Sequence, residues 1–216
     1  MVYFLSTQSD RFLLGRYLDM AHLGVYGTAT VLSGAAQTVI LKINSDVLFP
    51  AYSKVVHEKI DRMRQVVSRT RLVADAGMIV PLAMLMVLGA RVVGILYDPR
   101  YQAAGWMLQI LCVRLLLVAT LSNSESLLMA LGYPKYAFIQ NAGRAVAMFV
   151  AIPLGWSAWG IKGVIWGVAA SEIPPLIVMW TGLIRHHMFS IRAEVRSLLF
   201  AAIGSALGLG LLYLLP

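Results

Sequence analysis

The sequence predicts an all-α protein, a polytopic membrane helical bundle of about seven transmembrane helices with the first one truncated. Three observations predict it. Only 13% of the 216 residues are charged and 59% are hydrophobic, whereas a soluble domain carries roughly 25% charged residues. Several apolar runs reach the roughly 20 residues that cross a bilayer. Basic residues also gather in alternate connecting loops, as the positive-inside rule requires.

The elements follow in order. Residues 1–14 are apolar but short and carry Ser6, Thr7, Gln8, Asp10 and Arg11. Roughly 14 helical residues rise about 21 Å, less than the hydrocarbon core, so this segment reads as the end of a helix that starts earlier. The further spans are 23–49, ending before Pro50; 72–96, with Pro81 inside; 103–131, closed by Gly132-Tyr133-Pro134; 136–154; 159–184, with Pro174-Pro175 inside; and 195–215. All are too long for strands, and lipid-exposed backbone must satisfy its own hydrogen bonds, which makes them helices. Residues 52–71 place Val55, Val56, Ile60, Met63, Val66 and Val67 at helical spacing opposite charged side chains, the pattern of an amphipathic segment on the membrane surface. An ordinary solvated connector is the other reading.

Orientation follows from the cations. Lys54, Lys59, Arg62, Arg64, Arg69, Arg71, Lys135, Arg185, Arg192 and Arg196 fall in loops on one side, against Arg16, Arg91, Arg100 and Lys162 on the other. Ten against four places the first set in the cytoplasm. The net charge of +8 is explained by these loops, so it does not point to a nucleic-acid partner. Cys112 is the sole cysteine, which excludes an intrachain disulfide and a cysteine-based metal site. The first five residues lack the basic n-region of a removable signal peptide.

The informative residues are ionisable groups inside apolar runs. Each costs at least about 2.5 kcal/mol at the bilayer centre and so tends to face water or a partner. Lys42 and Asp46 are four apart and share a helical face with Thr38 and Ser45 nearby. They form either a neutralising pair or part of a polar cavity wall. Arg114 and Glu125 lie eleven apart, almost three whole turns, so both point the same way about 16 Å apart along the axis. Thr120, Ser122, Asn123 and Ser124 lie between them. Arg114 is the foremost candidate for an anion such as a pyrophosphate, since a guanidinium offers bidentate donors. The alternative is an arginine snorkelling to the interface. Asn141 and Arg144 are three apart on one helical face, and Arg144 either faces the cavity or snorkels inward. Glu172 precedes Pro174-Pro175, which remove backbone donors and break the helix. It reads as a cation or proton site beside the break, or as a carboxylate paired with an arginine of a neighbouring helix. Gly163/Gly167 and Gly204/Gly208 have the spacing of close helix packing.

Catalytic patterns do not assemble. His57-Glu58 would open a zinc-protease helix, but Asp61 stands where the second histidine belongs. Adjacent His186 and His187 cannot share a helical face, and no nucleophile elbow, phosphate loop or dinucleotide fingerprint is present. The sequence thus suggests no enzyme, no catalytic residue, no metal and no cofactor.

Several stretches carry a resemblance. Asp10-Arg11-Phe12-Leu13-Leu14-Gly15 with Leu23-Gly24-Val25-Tyr26, then Phe49-Pro50-Ala51-Tyr52-Ser53, Leu96-Tyr97-Asp98, and Gly160-Ile161-Lys162-Gly163-Val164-Ile165-Trp166-Gly167 resemble the polysaccharide transporter (oligosaccharide flippase) family. That family shares a superfamily with the multidrug/toxin extruders and lipid II flippases. The motif residues carried over are Asp10, Arg11, Gly15, Gly24, Tyr26 and Pro50. The resemblance covers the family's second half. It implies one half of a V-shaped transporter in the bacterial cytoplasmic (inner) membrane, partnered by a missing N-terminal half and the lipid bilayer. The implied cargo is an undecaprenyl-pyrophosphate-linked oligosaccharide for cell-surface polysaccharide, moved by alternating access through a cationic cavity. On that reading Lys42, Arg114, Arg144, Asn141 and Asn123 face the substrate, and Asp46, Glu125 and Glu172 serve ion coupling. An ion-coupled small-molecule exporter, a non-transporting membrane scaffold and a membrane-bound glycosyl- or acyltransferase stand beside it as alternatives.

Overall fold

A computed structural model describes residues 14–214. The motif residues Asp10 and Arg11, and most of the shortened first span, lie outside the described residues. After a short helical segment at 14–17, the helices are α1 (Met20–Ile43), α2 (Phe49–Val55), α3 (Ile60–Leu96), α4 (Ala103–Ala130), α5 (Lys135–Ala170), α6 (Ile173–Arg185) and α7 (Ile191–Leu214). The fold is all-α. Among the described residues, four helical runs are long and apolar enough to cross a membrane: Ile60–Leu96, Ala103–Ala130, Lys135–Arg185 and Ile191–Leu214. The chain is therefore a multi-pass membrane protein. Helix α1 is long enough but is not among the four, because glycines, threonines, Gln37 and Lys42 interrupt its apolar residues.

Local sequence sets the breaks. Asp19 caps α1, its Oδ1 accepting the His22 N–H at 2.8 Å. Between α1 and α2 the chain makes a π-helical turn at Asn44–Leu48. Such a turn carries an extra residue and rotates the helix beyond it, so Lys42 and Asp46 lose the face that simple four-residue spacing would give them. Residues 52–71, read from the sequence as one surface segment, divide between two elements. Tyr52–Val55 close α2, and 60–71 are the first turns of the 37-residue α3.

Helix α5 is a hairpin rather than a rod. Trp159 (φ −139°, ψ 18°) and Gly160 (φ 57°, ψ −134°) leave helical geometry, and the Gly160 conformation is essentially open only to glycine. The arms before and after this turn pack backbone to backbone, and a Cβ at Gly155 or Gly163 would overlap the other's carbonyl. Gly167 sits as closely on Ala151, and Gly204 and Gly208 of α7 lie on Val80 and Val87 of α3. Both glycine pairs singled out in the sequence are thus packing contacts. The sequence placed the reversal between 154 and 159; it comes slightly later because Pro153 is absorbed within the helix and the tight turn needs Gly160. A second break at Ser171-Glu172 puts prolines in the first turn of α6, where a missing N–H costs nothing.

The most buried helix is α4, which packs on α1, α3, α5 and α6. Its apolar side chains contribute to two clusters stacked along the bundle. One gathers Leu18, Val93, Met107, Leu111, Ile152 and Val164; the other gathers Ile40, Tyr52, Met63, Leu115, Met179 and Leu183. The second lies toward the end where the basic connections meet. There Tyr133 stacks on His186 with ring centroids 3.8 Å apart, Arg64 donates to the His187 carbonyl at 2.7 Å, and Arg196 donates to the Ser68 carbonyl at 3.2 Å.

Candidate functional site: a charged cleft between two apolar cores

Where the two apolar clusters meet, three charged side chains meet as well. Arg114 follows Leu111 of one cluster and precedes Leu115 of the other, and Arg144 and Glu172 occupy the same level on α5 and at the start of α6. Glu172 is fully buried. Its Oε1 accepts Arg114 Nε at 3.0 Å. Its Oε2 accepts Arg144 Nε at 2.9 Å and lies 2.8 Å from Nη2. Arg144 also reaches Asn141 Oδ1 at 3.5 Å. The break that the prolines impose is what turns Glu172 inward: it immediately precedes α6, where the helix dipole also favours a carboxylate.

Around this triad is a cleft of about 60 Å³, with Gln37, Leu41, Arg114, Glu125, Gln140 and Arg144 among its walls. That is room for a few waters and not for a sugar. Arg114 and Glu125 share this wall, as their eleven-residue spacing anticipates. The cleft is not simply cationic: Glu172 and Glu125 balance the two arginines in formal charge. Gln140 is 2% exposed, and its Oε1 has no hydrogen-bond partner among the described residues.

Lys42 and Asp46 are exposed, and among the described residues they form no ion pair with each other. Asp46 instead accepts the Ser45 hydroxyl at 2.8 Å. Lys42 belongs to an exposed face of α1 that runs on from Val31, Ala35 and Thr38, whose three- and four-residue spacings keep one side of a helix, while Asp46 lies in the π-helical turn beyond it. Thr38 satisfies its hydroxyl on the Gly34 carbonyl at 2.9 Å, so Lys42 is the group on this face that demands water, with Asp46 exposed just past its end. Gln37 and Leu41, one position away, join this face to the arginine cleft.

Asn123 belongs elsewhere. Its Nδ2 donates to Asp75 Oδ1 at 2.6 Å, and its Oδ1 accepts the Tyr52 hydroxyl at 3.4 Å. Asp75, fully buried, also accepts Ser197 at 2.8 Å and Arg71 Nε at 3.3 Å, while Arg71 Nη2 reaches Glu194 at 2.8 Å. This hub ties α2, α3, α4 and α7 together. Sequence reasoning passed over Asp75 and Glu194 and counted Arg71 as a loop cation. The available signal was Arg71 and Asp75 at four-residue spacing.

Of the motif residues, Tyr26 is buried in the core, Gly15 and Gly24 are exposed with open space where a side chain would stand, and Pro50 lies in the first turn of α2. Among the described residues no cluster of His, Cys, Asp and Glu has the makings of a metal site.

Residues 1–105 match the model of a family described as polysaccharide biosynthesis protein. No curated protein and no solved structure matches the chain. The matched stretch holds the α1 face and Asp75 and ends before Arg114.

Proposed function

With residues 1–105 matching the model of a family described as polysaccharide biosynthesis protein, we propose that the chain is the second bundle of a flippase for lipid-linked oligosaccharide. It works in the bacterial inner membrane against a first bundle of similar build. On this reading the spans number about seven, and the basic end faces the cytoplasm. The observation that carries this reading is the exposed α1 face with Lys42, followed by exposed Asp46 in the next turn and continuous through Gln37 and Leu41 with the Arg114–Arg144 cleft. Charged groups on a bare helix face fit a water-filled chamber better than lipid.

In the proposed cycle the triad is the resting lock of the chamber. Glu172 holds both arginines while the chamber is empty. A pyrophosphate entering from the α1 side competes for the guanidiniums, which bind phosphate oxygens bidentately. Glu172, losing its partners, becomes the carboxylate available to a coupling ion. The cleft must widen for this, which fits two bundles rocking apart. Lys42 and Asp46 meet the cargo first; Asn141 and Glu125 flank the arginines.

The test is translocation by the assembled two-bundle transporter in liposomes, read as protection of lipid-linked oligosaccharide from an impermeant glycosidase. Lys42→Ala and Arg144→Ala are expected to slow protection at least about tenfold while leaving assembly intact, the loss of one charge-assisted contact. Unchanged rates in both variants would reduce the chain to a scaffold.

A further inference from the structure

A cluster of arginines lies at the basic end, apart from the charged cleft. A cavity of about 440 Å³ opens between α3, α4 and α7. Arg64, Arg71, Arg192 and Arg196 line it with Ser68 and Ser190, and no aspartate or glutamate is among its walls. Arg71 is neutralised by Asp75 and Glu194. The other three have no carboxylate partner among the described residues. Two of them are nonetheless fixed in place. Arg64 is anchored on the His187 carbonyl at 2.7 Å and Arg196 on the Ser68 carbonyl at 3.2 Å. A neutral carbonyl orients a guanidinium without cancelling its charge. The Arg196 Nε is buried and has no hydrogen-bond partner among the described residues.

The start of α7 adds to the field. Ser190 precedes the helix, and Arg192 and Ala193 of its first turn line the cavity. The positive end of a 24-residue helix therefore faces the same space as the arginines. Like charges held close together are unfavourable unless an anion joins them. Leu127 and Phe189 supply an apolar side wall, beside which a chain attached to the anion could lie.

We propose that this pocket binds a phosphate ester, with Arg64, Arg192 and Arg196 as its ligands. The phosphate comes either from the headgroup of an anionic phospholipid or from a soluble phosphate compound. The site is independent of the translocation reading, because it uses none of the residues placed in the charged cleft.

The experiment uses the whole chain, delipidated in neutral detergent. One arm titrates phosphatidylglycerol, with phosphatidylcholine as the zwitterionic control, and counts bound lipid by native mass spectrometry. The other titrates inorganic pyrophosphate and follows the melting temperature. Arg192→Gln, at the exposed start of α7, and Arg196→Gln are each expected to weaken binding about tenfold. Arg69→Gln, on α3 but outside the pocket, is expected to leave it unchanged. Melting temperatures without anion identify any variant that has lost its fold, and Arg192→Gln then decides. Loss confined to phosphatidylglycerol assigns the site to a lipid headgroup; loss confined to pyrophosphate assigns it to a soluble phosphate. The proposal is overturned if neither probe binds, if both bind the variants as tightly as the parent, or if Arg69→Gln weakens binding equally.

Discussion

Arg114 and Glu172 are 58 residues apart in the chain, yet their side chains meet at 3.0 Å in the middle of the bundle. The contact exists because Pro174 and Pro175 break the returning helix and leave Glu172 at its start, facing α4 and α5. Removing the carboxylate leaves two half-buried guanidiniums without their shared acceptor. Glu172→Ala is expected to cost about 3–5 kcal/mol, the usual penalty for breaking a buried pair on one side. Arg114→Ala should cost less, because Glu172 keeps Arg144. Reversible unfolding in mixed micelles measures both, and a double-mutant cycle should return a coupling above about 1 kcal/mol. Additive effects would mean that the contact contributes nothing.

Part of this was legible in the sequence. Glu172 beside two prolines announced a break with a charge in it, and pairing with a neighbouring arginine was one of its two readings. Arg114 and Glu125 were placed on one side of a helix by arithmetic alone. That Arg114 and Arg144 are the partners of Glu172 was not legible, because which helices pack together at that height is a tertiary fact. The Asp75 hub was missed for a related reason: Arg71 stands where the cation-rich connection runs into the span, so it was counted with the loop. The π-helical turn after α1 has no sequence signature of comparable strength, and it is what changes the relation between Lys42 and Asp46.

The hub gives a graded series. Asp75→Ala leaves Arg71, Asn123 and Ser197 without their common acceptor and is expected to cost about 3–5 kcal/mol. Ser197→Ala removes a single hydrogen bond to that carboxylate and should cost about 1 kcal/mol. The same unfolding measurement ranks them, and equal costs would remove Asp75 as the centre of the network.

The hairpin in α5 depends on its glycines. Gly160→Ala puts a Cβ on a backbone conformation that only glycine tolerates, at about 1–3 kcal/mol. Gly163→Leu should be worse, since its side chain would fall on the carbonyl of Gly155. Thermal melting in detergent should show both losses, with Gly143→Ala, which meets nothing within 4 Å, as the neutral control.

The cap of α1 responds to acid. The backbone N–H of His22 above all, and then its side chain, hold the Asp19 carboxyl below its ordinary 3.8. A carboxylate whose folded value is depressed stabilises the fold above its unfolded value and loses that contribution as pH falls through the folded one. Protection of the His22 amide from hydrogen exchange, corrected for the intrinsic rate, should therefore be flat at neutral pH and decline below 3.8. Asp19→Ala should abolish that dependence.

The most direct test of the central claim is water access to the exposed face of α1. Cys112 is buried and the chain has no other cysteine, so single cysteines can be introduced on a Cys112→Ala background in the assembled transporter. An impermeant thiol reagent is expected to label Thr38→Cys, Lys42→Cys and Ser45→Cys, and to spare Val39→Cys on the neighbouring apolar side. Saturating lipid-linked oligosaccharide should protect the labelled positions. Failure of all three to label, or labelling that the lipid-linked sugar leaves untouched, would contradict a substrate chamber at that face.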